Sequence, residues 1–304
     1  MPVFQEPLYY ISVWYAVVTG ANKGIGFETC KQLASKGITV VLTARDEKRG
    51  LEAVQKLEEF GLSDNVVFHQ LDVTDPKSIE SLATFIKTQF GKLDILVNNA
   101  GIHGADVDRD AFSALIAAGV KAANVDLRKV IIQNYESAVA GIKTNYYGAK
   151  GMCEALVPYL ELSDSSRIVN VSSSMGKLEK IPNEWARGVL SDVESLTEEK
   201  VDEVLNQFLK DLKEGSLETK GWPPVSAAYV VSKAALSSYT RILAKKYPSF
   251  CINAVCPGFV KTDINYNTGH ISVDDGAESV VRLALLPNGG PSGLFFSRSE
   301  VAPF

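Results

Sequence analysis

The sequence predicts a single α/β domain built on a doubly wound parallel sheet, and three observations carry that expectation. Short β-branched runs alternate with segments of helical period along the 304 residues. The runs are apolar throughout rather than alternating, as in a parallel sheet covered on both faces. A glycine-rich turn, TGANKGIG at 19–26, joins the first run to its helix, where such sheets open toward a ligand.

The elements follow in order. YAVVTG (15–20) reads as the first strand, and 24–36 as a helix with Gly26, Cys30, Leu33 and Ala34 along one face. ITVVLTAR (38–45) is the second strand, followed by a helix over 51–60. NVVFHQLDV (65–73) is the third, followed by a helix near 77–90. LDILVNNAG (93–101), SRIVNVSSS (166–174) and FCINAVCPG (250–258) complete six strands. Two insertions, 103–140 and 177–225, interrupt the rhythm. The second contains TEEKVDEVLNQFLKDLKEG. There Thr197 can cap a helix, Glu198 and Glu199 suit its first turn, and Gly215 ends it. Val201, Val204, Leu205, Phe208 and Leu212 form one apolar stripe.

Composition narrows the function. The chain is 46% hydrophobic and 22% charged with a formal net charge of -5, and it has no run of Lys or Arg, so neither nucleic acid nor an anionic membrane is an expected partner. Cys30, Cys153, Cys251 and Cys256 are scattered without a CxxC, which predicts free thiols in a reducing, cytoplasmic setting. His69, His103 and His270 are isolated, so no metal site is expected. The uncharged stretch LYYISVWYAVV (8–18) lacks a basic residue before it and a cleavage site after it. Its second half reads as strand, and 1–12 as an extra arm. No stretch is long enough to span a bilayer.

Two groups of residues carry chemistry. In the turn, Gly20 permits a tight bend, and Gly24 and Gly26 let backbone approach a pyrophosphate at the helix N-terminus. Asn22, Lys23 and Ile25 complete that loop. The second strand ends in Arg45 rather than in a carboxylate, which predicts the 2′-phosphate of NADP over the free ribose of NAD, with Lys23 as a second cation. Asp72 either accepts from an adenine amino group or caps the next turn. Downstream, SAAYVVSKAAL (226–236) sets Tyr229 four residues before Lys233, on one helix face. An ammonium beside a phenol lowers its pKa toward useful values. YYGAK repeats the spacing at Tyr146 and Lys150, and spacing alone does not choose between them.

The set TGANKGIG (19–26), DVT (72–74), NNAG (98–101), KTNYYG around Asn145, IVNVSSS (168–174), YVVSK (229–233) and PGFVKT (257–262) resembles the short-chain dehydrogenase/reductase superfamily across nearly the whole chain. Within it the two insertions and FGKLDILVNNAG are similar to a plant group of menthone-type and alkaloid-ketone reductases. The resemblance implies a Rossmann-type fold and NADPH-dependent reduction of a ketone. It implies a catalytic serine on the strand before the tyrosine helix, which selects Tyr229 and Lys233 over Tyr146. Counted back from Gly176, that serine is Ser173; Ser172 would face the opposite side of the strand. Asn145 is implied to hold a water that reprotonates Tyr229 through Lys233, and Lys233 to bind the nicotinamide ribose. Val73, Asn99, Pro257, Gly258, Val260 and Thr262 join the implied cofactor contacts.

The expected substrate is a bulky apolar cyclic ketone of the menthone type. Residues 177–225 leave the chain between Ser173 and Tyr229, so the stripe of their helix, with Trp185, Trp222, Pro182, Pro223 and Pro224, is expected to wall the site. The 103–140 insertion is expected to cover the helix face through which family oligomers assemble, giving a monomer. The alternatives are an enone double-bond reductase, which in this family lacks the tyrosine, and a silent NADPH-binding regulator, which usually lacks one of Asn145, Ser173, Tyr229 and Lys233.

Overall fold

In the computed structural model, residues 13–118 and 130–304 are described. The arm expected over 1–12 and the middle of the first insertion lie outside them. The chain begins β1 (Tyr15–Val18), α1 (Gly24–Ala34), β2 (Thr39–Ala44), α2 (Glu47–Glu58), β3 (Val66–Gln70), α3 (Pro76–Gln89) and β4 (Ile95–Asn98). The first insertion supplies β5 (Asp106–Val107), α4 (Arg109–Ala117), β6 (Ile131–Ile132) and α5 (Tyr135–Ile142). A π-helical turn, Lys143–Gly148, leads into α6 (Ala149–Leu160) and β7 (Arg167–Val171). The second insertion supplies α7 (Glu184–Ser191) and α8 (Glu198–Lys213) before α9 (Ala227–Lys246). β8 (Cys251–Cys256), α10 (Val273–Ala284), β9 (Phe295–Ser297) and β10 (Glu300–Val301) close the chain.

The main sheet runs β10-β9-β8-β7-β4-β1-β2-β3, parallel except at β10. Winding reverses between β1 and β4, so a crevice opens at their C-terminal ends. The uninterrupted apolar runs have a simple cause. Ala16, Val18, Ile95 and Val97 pack toward α1, α2 and α10, while Val17 and Leu96 pack toward α3, α6 and α9. Both faces are core, so no position is left to be polar. The four cysteines are free and buried. Among the described residues no helix is long and apolar enough to cross a membrane.

The strands are shorter at their C-terminal ends than the apolar runs suggest. β1 stops at Val18, β4 at Asn98 and β7 at Val171, because the next residues leave the ladder to build the crevice. β9 and β10 extend the sheet past six strands; two or three residues are too few to show a period. α2 starts at Glu47, four residues earlier than the periodicity predicts, because the Asp46 side chain caps it by accepting from the Arg49 N–H.

α8 forms as expected, with Thr197 accepting from the Lys200 N–H, but its stripe does not wall the crevice. Val201, Val204, Leu205 and Phe208 are fully buried in the cluster that holds Tyr146 and Tyr239, against α9 and α5. Lys150 of α6 pairs with Glu198 of α8 at 2.9 Å. Trp222 is a core anchor: it meets Phe208 edge-on at 5.2 Å and donates from Nε1 to Asp211 Oδ2 at 2.7 Å. Trp185 stays exposed. The second insertion therefore covers the α9 face together with α5, most of which belongs to the first insertion. An amphipathic helix buries its stripe on the nearest unpaired apolar surface, and α9 offers one along its length. The first insertion also pins the loop after β4. Gly104 (φ +68°) lies so close to α5 that a Cβ on Gly141 would sit 2.6 Å from its Cα.

Candidate active site

The glycine loop is braced from β4. Thr19 Oγ1 accepts from the N–H groups of Asn99 and Ala100, each at 2.9 Å. Asn99 Nδ2 donates to the carbonyls of Thr19 and Gly20 at 2.8 and 3.1 Å. Gly20 bends at φ +61°, and a Cβ at Gly26 would lie 2.5 Å from Asn99 Nδ2, so side chains are excluded where the loop is tightest. Lys23 is the N-cap of α1 in extended conformation and no side chain caps the helix. Its first-turn N–H groups face outward as an anion site at the switch point, with the positive end of the helix dipole behind them. Asn22 and Ile25 are half-buried along this loop, and Ile25 packs on the sheet. The loop thus fits the pyrophosphate of a nicotinamide dinucleotide.

The neighbouring cofactor candidates divide. Arg45 directly follows β2 and is exposed. Lys23 is engaged with Asp263 at 2.6 Å, both about 60% exposed. A pair so open to water is worth under about 1 kcal/mol, so an incoming phosphate competes with it easily. Asp72 Oδ1 accepts from the N–H and hydroxyl of Thr74 at 2.9 and 2.7 Å, the turn-capping arrangement of the two considered. Val73 is buried against Gly148, where a Cβ would meet Val73 Cγ2 at 2.8 Å. Beyond β8, Pro257 and Gly258 (φ +89°) turn the chain, and Thr262 reaches the glycine loop, 3.5 Å from where a Gly24 Cβ would be. Val260, 3% exposed, packs its side chain on Gly276 of α10.

Asn145, Ser173, Tyr229 and Lys233 come together at the ends of β4 and β7. Ser172 turns into α9, bonding Ser237 Oγ at 2.8 Å and the Lys233 carbonyl at 3.1 Å. Ser173, one residue on, faces the other way; its Oγ accepts from the Met175 N–H at 3.1 Å and lies beside the Tyr229 hydroxyl, whose pKa it lowers. Lys233 is 3% exposed, and its Nζ donates to the Val171 carbonyl at 2.7 Å, 5.8 Å from the Tyr229 ring centre. Asn145 lies in the π-helical turn, a feature that periodicity does not reveal and that recurs at functional sites. Its Oδ1 accepts from the Ile102 N–H at 2.8 Å, and its Nδ2 donates to the Ile102 carbonyl and to Ser232 Oγ. Asn145 Oδ1 and Lys233 Nζ border one gap, 3.2 and 3.4 Å from where a Gly101 Cβ would be. Tyr146 is fully buried against Tyr147 and Tyr239. Burial, then Asp202, drives its pKa upward.

The electrostatics reverse one expectation. Burial pushes the Tyr229 phenol up to about 12, partly opposed by the Ser173 hydrogen bond. Burial also pulls Lys233 down to about 8. The ammonium is tied to the Val171 carbonyl rather than to the phenol, so desolvation outweighs its attraction for a phenolate. Three residues at the site escaped the sequence reading. His103 stacks on Tyr229 and bonds Ser226. Gln133 Oε1 accepts from the Ala227 N–H at 2.7 Å, capping α9 from outside. Cys256, at the end of β8, lies near both Tyr229 and Lys233. No local motif marks a side chain that reaches the site from a distant loop.

Known proteins resemble this chain in sequence and fold. The family model of the short chain dehydrogenases matches residues 15–184. A (+)-neomenthol dehydrogenase of Arabidopsis thaliana is 62% identical over 95% of this chain and 98% of its own. The structure of salutaridine reductase from Papaver somniferum, 53% identical, superposes with a TM-score of 0.89 over 93% of this chain and 99% of that one. A menthone neomenthol reductase structure from Mentha piperita, 52% identical, gives 0.84 over 95% of this chain and 100% of that one.

The buried amine makes stability depend on pH. With a folded pKa of about 8 against an ordinary 10.5, Lys233 costs stability in full below the folded value. That cost fades as pH rises through the window, because the unfolded chain there holds the extra proton. Urea midpoints of wild type relative to Lys233→Met should therefore rise between about pH 8 and about pH 10.5. Tyr229, with its pKa raised, opposes this only above its ordinary pKa of 10.0. A midpoint difference independent of pH would contradict the depressed amine.

Proposed function

The chain belongs to the short-chain dehydrogenase/reductase family, and from that membership we propose that it is an NADPH-dependent reductase of bulky, apolar cyclic ketones, most closely of the menthone type. The observation that carries the reading is that Ser173 lies beside the Tyr229 hydroxyl, with buried Lys233 5.8 Å from the phenol ring centre and the braced glycine loop nearby. A bound nicotinamide supplies the hydride. The chain's own groups do the rest. Ser173 and Tyr229 hold the ketone oxygen, where negative charge develops. Tyr229 keeps its proton at neutral pH and donates it to that oxygen. Lys233 stabilises the phenolate left behind and orients the nicotinamide ribose. Asn145 borders the gap beside Lys233 through which a water returns the proton.

The 2′-phosphate preference rests on Arg45, exposed at the end of β2, with Lys23 as the second cation. The apolar substrate is supported by the rim. Ile102, Met175 and Phe259 follow β4, β7 and β8, three neighbouring strands, and are 41%, 37% and 42% exposed. The names of the relatives point the same way. We further propose that the chain works as a monomer, because α8 already buries the α9 face.

Three measurements test this reading. Purified protein with NADPH and menthone should yield the alcohol, and Tyr229→Phe should abolish turnover while NADPH still binds. An active Tyr229→Phe, or an enone reduced only at its double bond, would refute it. Arg45→Asp should weaken NADPH selectively by about ten- to a hundred-fold, the worth of one charge-assisted contact. Equal use of NADH by the wild type would overturn the cofactor assignment. Light scattering at micromolar concentration should return 33.0 kDa, and a multiple of that mass would exclude the monomer.

A further inference from the structure

His103 stands apart from the described machinery yet touches its centre. It lies two residues past Gly101, on the loop that Gly104 and Gly141 pin against α5. Its ring stacks on Tyr229 at 5.6 Å between centres and 22° between planes. Its Nε2 lies 3.0 Å from Ser226 Oγ. Its Nδ1 is buried and, among the described residues, has no hydrogen-bond partner. Burial lowers its pKa, so the ring is neutral at physiological pH.

Ser226 is unusual in the same way. It precedes α9 in the left-handed conformation, φ 53° and ψ 35°, which costs a non-glycine residue energy. It occupies the N-cap position but does not cap; Gln133 does so instead. Its hydroxyl is thereby left for His103. Its carbonyl accepts from the Val230 N–H at 2.9 Å, one residue past Tyr229. An unpaired buried nitrogen and a left-handed serine are two local costs at one point, and costs of this kind collect where function holds them.

We propose that His103 is a positioning residue for the reaction: stacked on Tyr229 and tethered to Ser226, it sets the plane of the phenol so that its hydroxyl meets Ser173 and the ketone oxygen together. The inference rests on the reading of Tyr229 as proton donor. The ring also shields the phenol from water and so contributes to the burial that raises its pKa. Among the described residues, the other groups near that phenol are Lys233 on the same helix, 5.8 Å from the ring centre, Ser173 after β7 and Cys256 at the end of β8.

The test compares His103→Ala, His103→Phe and Ser226→Ala in the full chain with NADPH and menthone. His103→Ala should lower kcat about ten- to a hundred-fold, as misplacement of a reacting group does, with KM and NADPH binding nearly unchanged. His103→Phe keeps the stack and removes the unpaired nitrogen. It should be at least as stable as wild type and recover part of the lost kcat. Ser226→Ala should add nothing to His103→Ala, since both remove one tether. In alcohol oxidation with NADP+, where Tyr229 must accept a proton, the rising limb of the pH profile should move to lower pH in His103→Ala and stay in place in His103→Phe. Unchanged kcat in His103→Ala, an effect confined to KM, or multiplicative losses in the double variant would overturn the proposal. Tyr229→Phe run alongside separates the two ideas. If it is silent while His103→Ala is unaffected, only the positioning role falls; if it is active, the catalytic reading falls first.

Discussion

The seam between the end of β7 and the middle of α9 is the constraint on which the site depends. Lys233 Nζ bonds the Val171 carbonyl, Ser172 bonds the Lys233 carbonyl and Ser237, and Gly176 packs so tightly that a Cβ there would lie 2.6 Å from the Lys233 carbonyl carbon. Once those contacts form, the backbones that carry Ser173 and Tyr229 are fixed relative to one another, and the stack with His103 bears on the phenol ring itself. The strand's alternation sends Ser172 into the helix and Ser173 toward the phenol. Backbone carbonyls at the end of a parallel sheet lack the next strand residue to bond, and a buried ammonium satisfies one of them at a cost in its own basicity.

That cost explains the balance of charge at the site. α9 is buried along most of its length because the sheet lies on one side and α8 on another. Burial disfavours both the phenolate and the ammonium, moving the two pKa values in opposite directions from their ordinary positions. A phenol that keeps its proton suits donation to a ketone oxygen, whereas oxidation of an alcohol needs the phenolate. The helices that make the fold stable therefore also bias the chemistry.

The second insertion joins these two themes. Its stripe covers α9, completing the core, while its ends return to Ser173 and Ser226 on either side of the site. The first insertion reaches the same helix by another route, through Gln133 at its N-terminus and His103 on the Tyr229 ring. The described parts of both insertions pack on α9 and hold it in place.

The order of strands and helices and the glycine loop were legible in the sequence, because each is written locally; the serine–tyrosine–lysine group was legible only through the family resemblance, which chose Tyr229 over Tyr146 and Ser173 as its serine. Apolar runs mark strands buried on both faces, three glycines mark a turn with no room for Cβ, and a four-residue spacing marks one helix face. The stripe of α8 was legible too, but not its partner, since a period says which residues are buried and not against what. Tertiary structure alone decided that Trp222 bonds Asp211, that Val260 packs into α10, that Lys233 spends its proton on a strand carbonyl, and that His103 meets Tyr229. Each of these joins residues from different elements, and such contacts follow from how the surfaces fit rather than from any pattern along the chain.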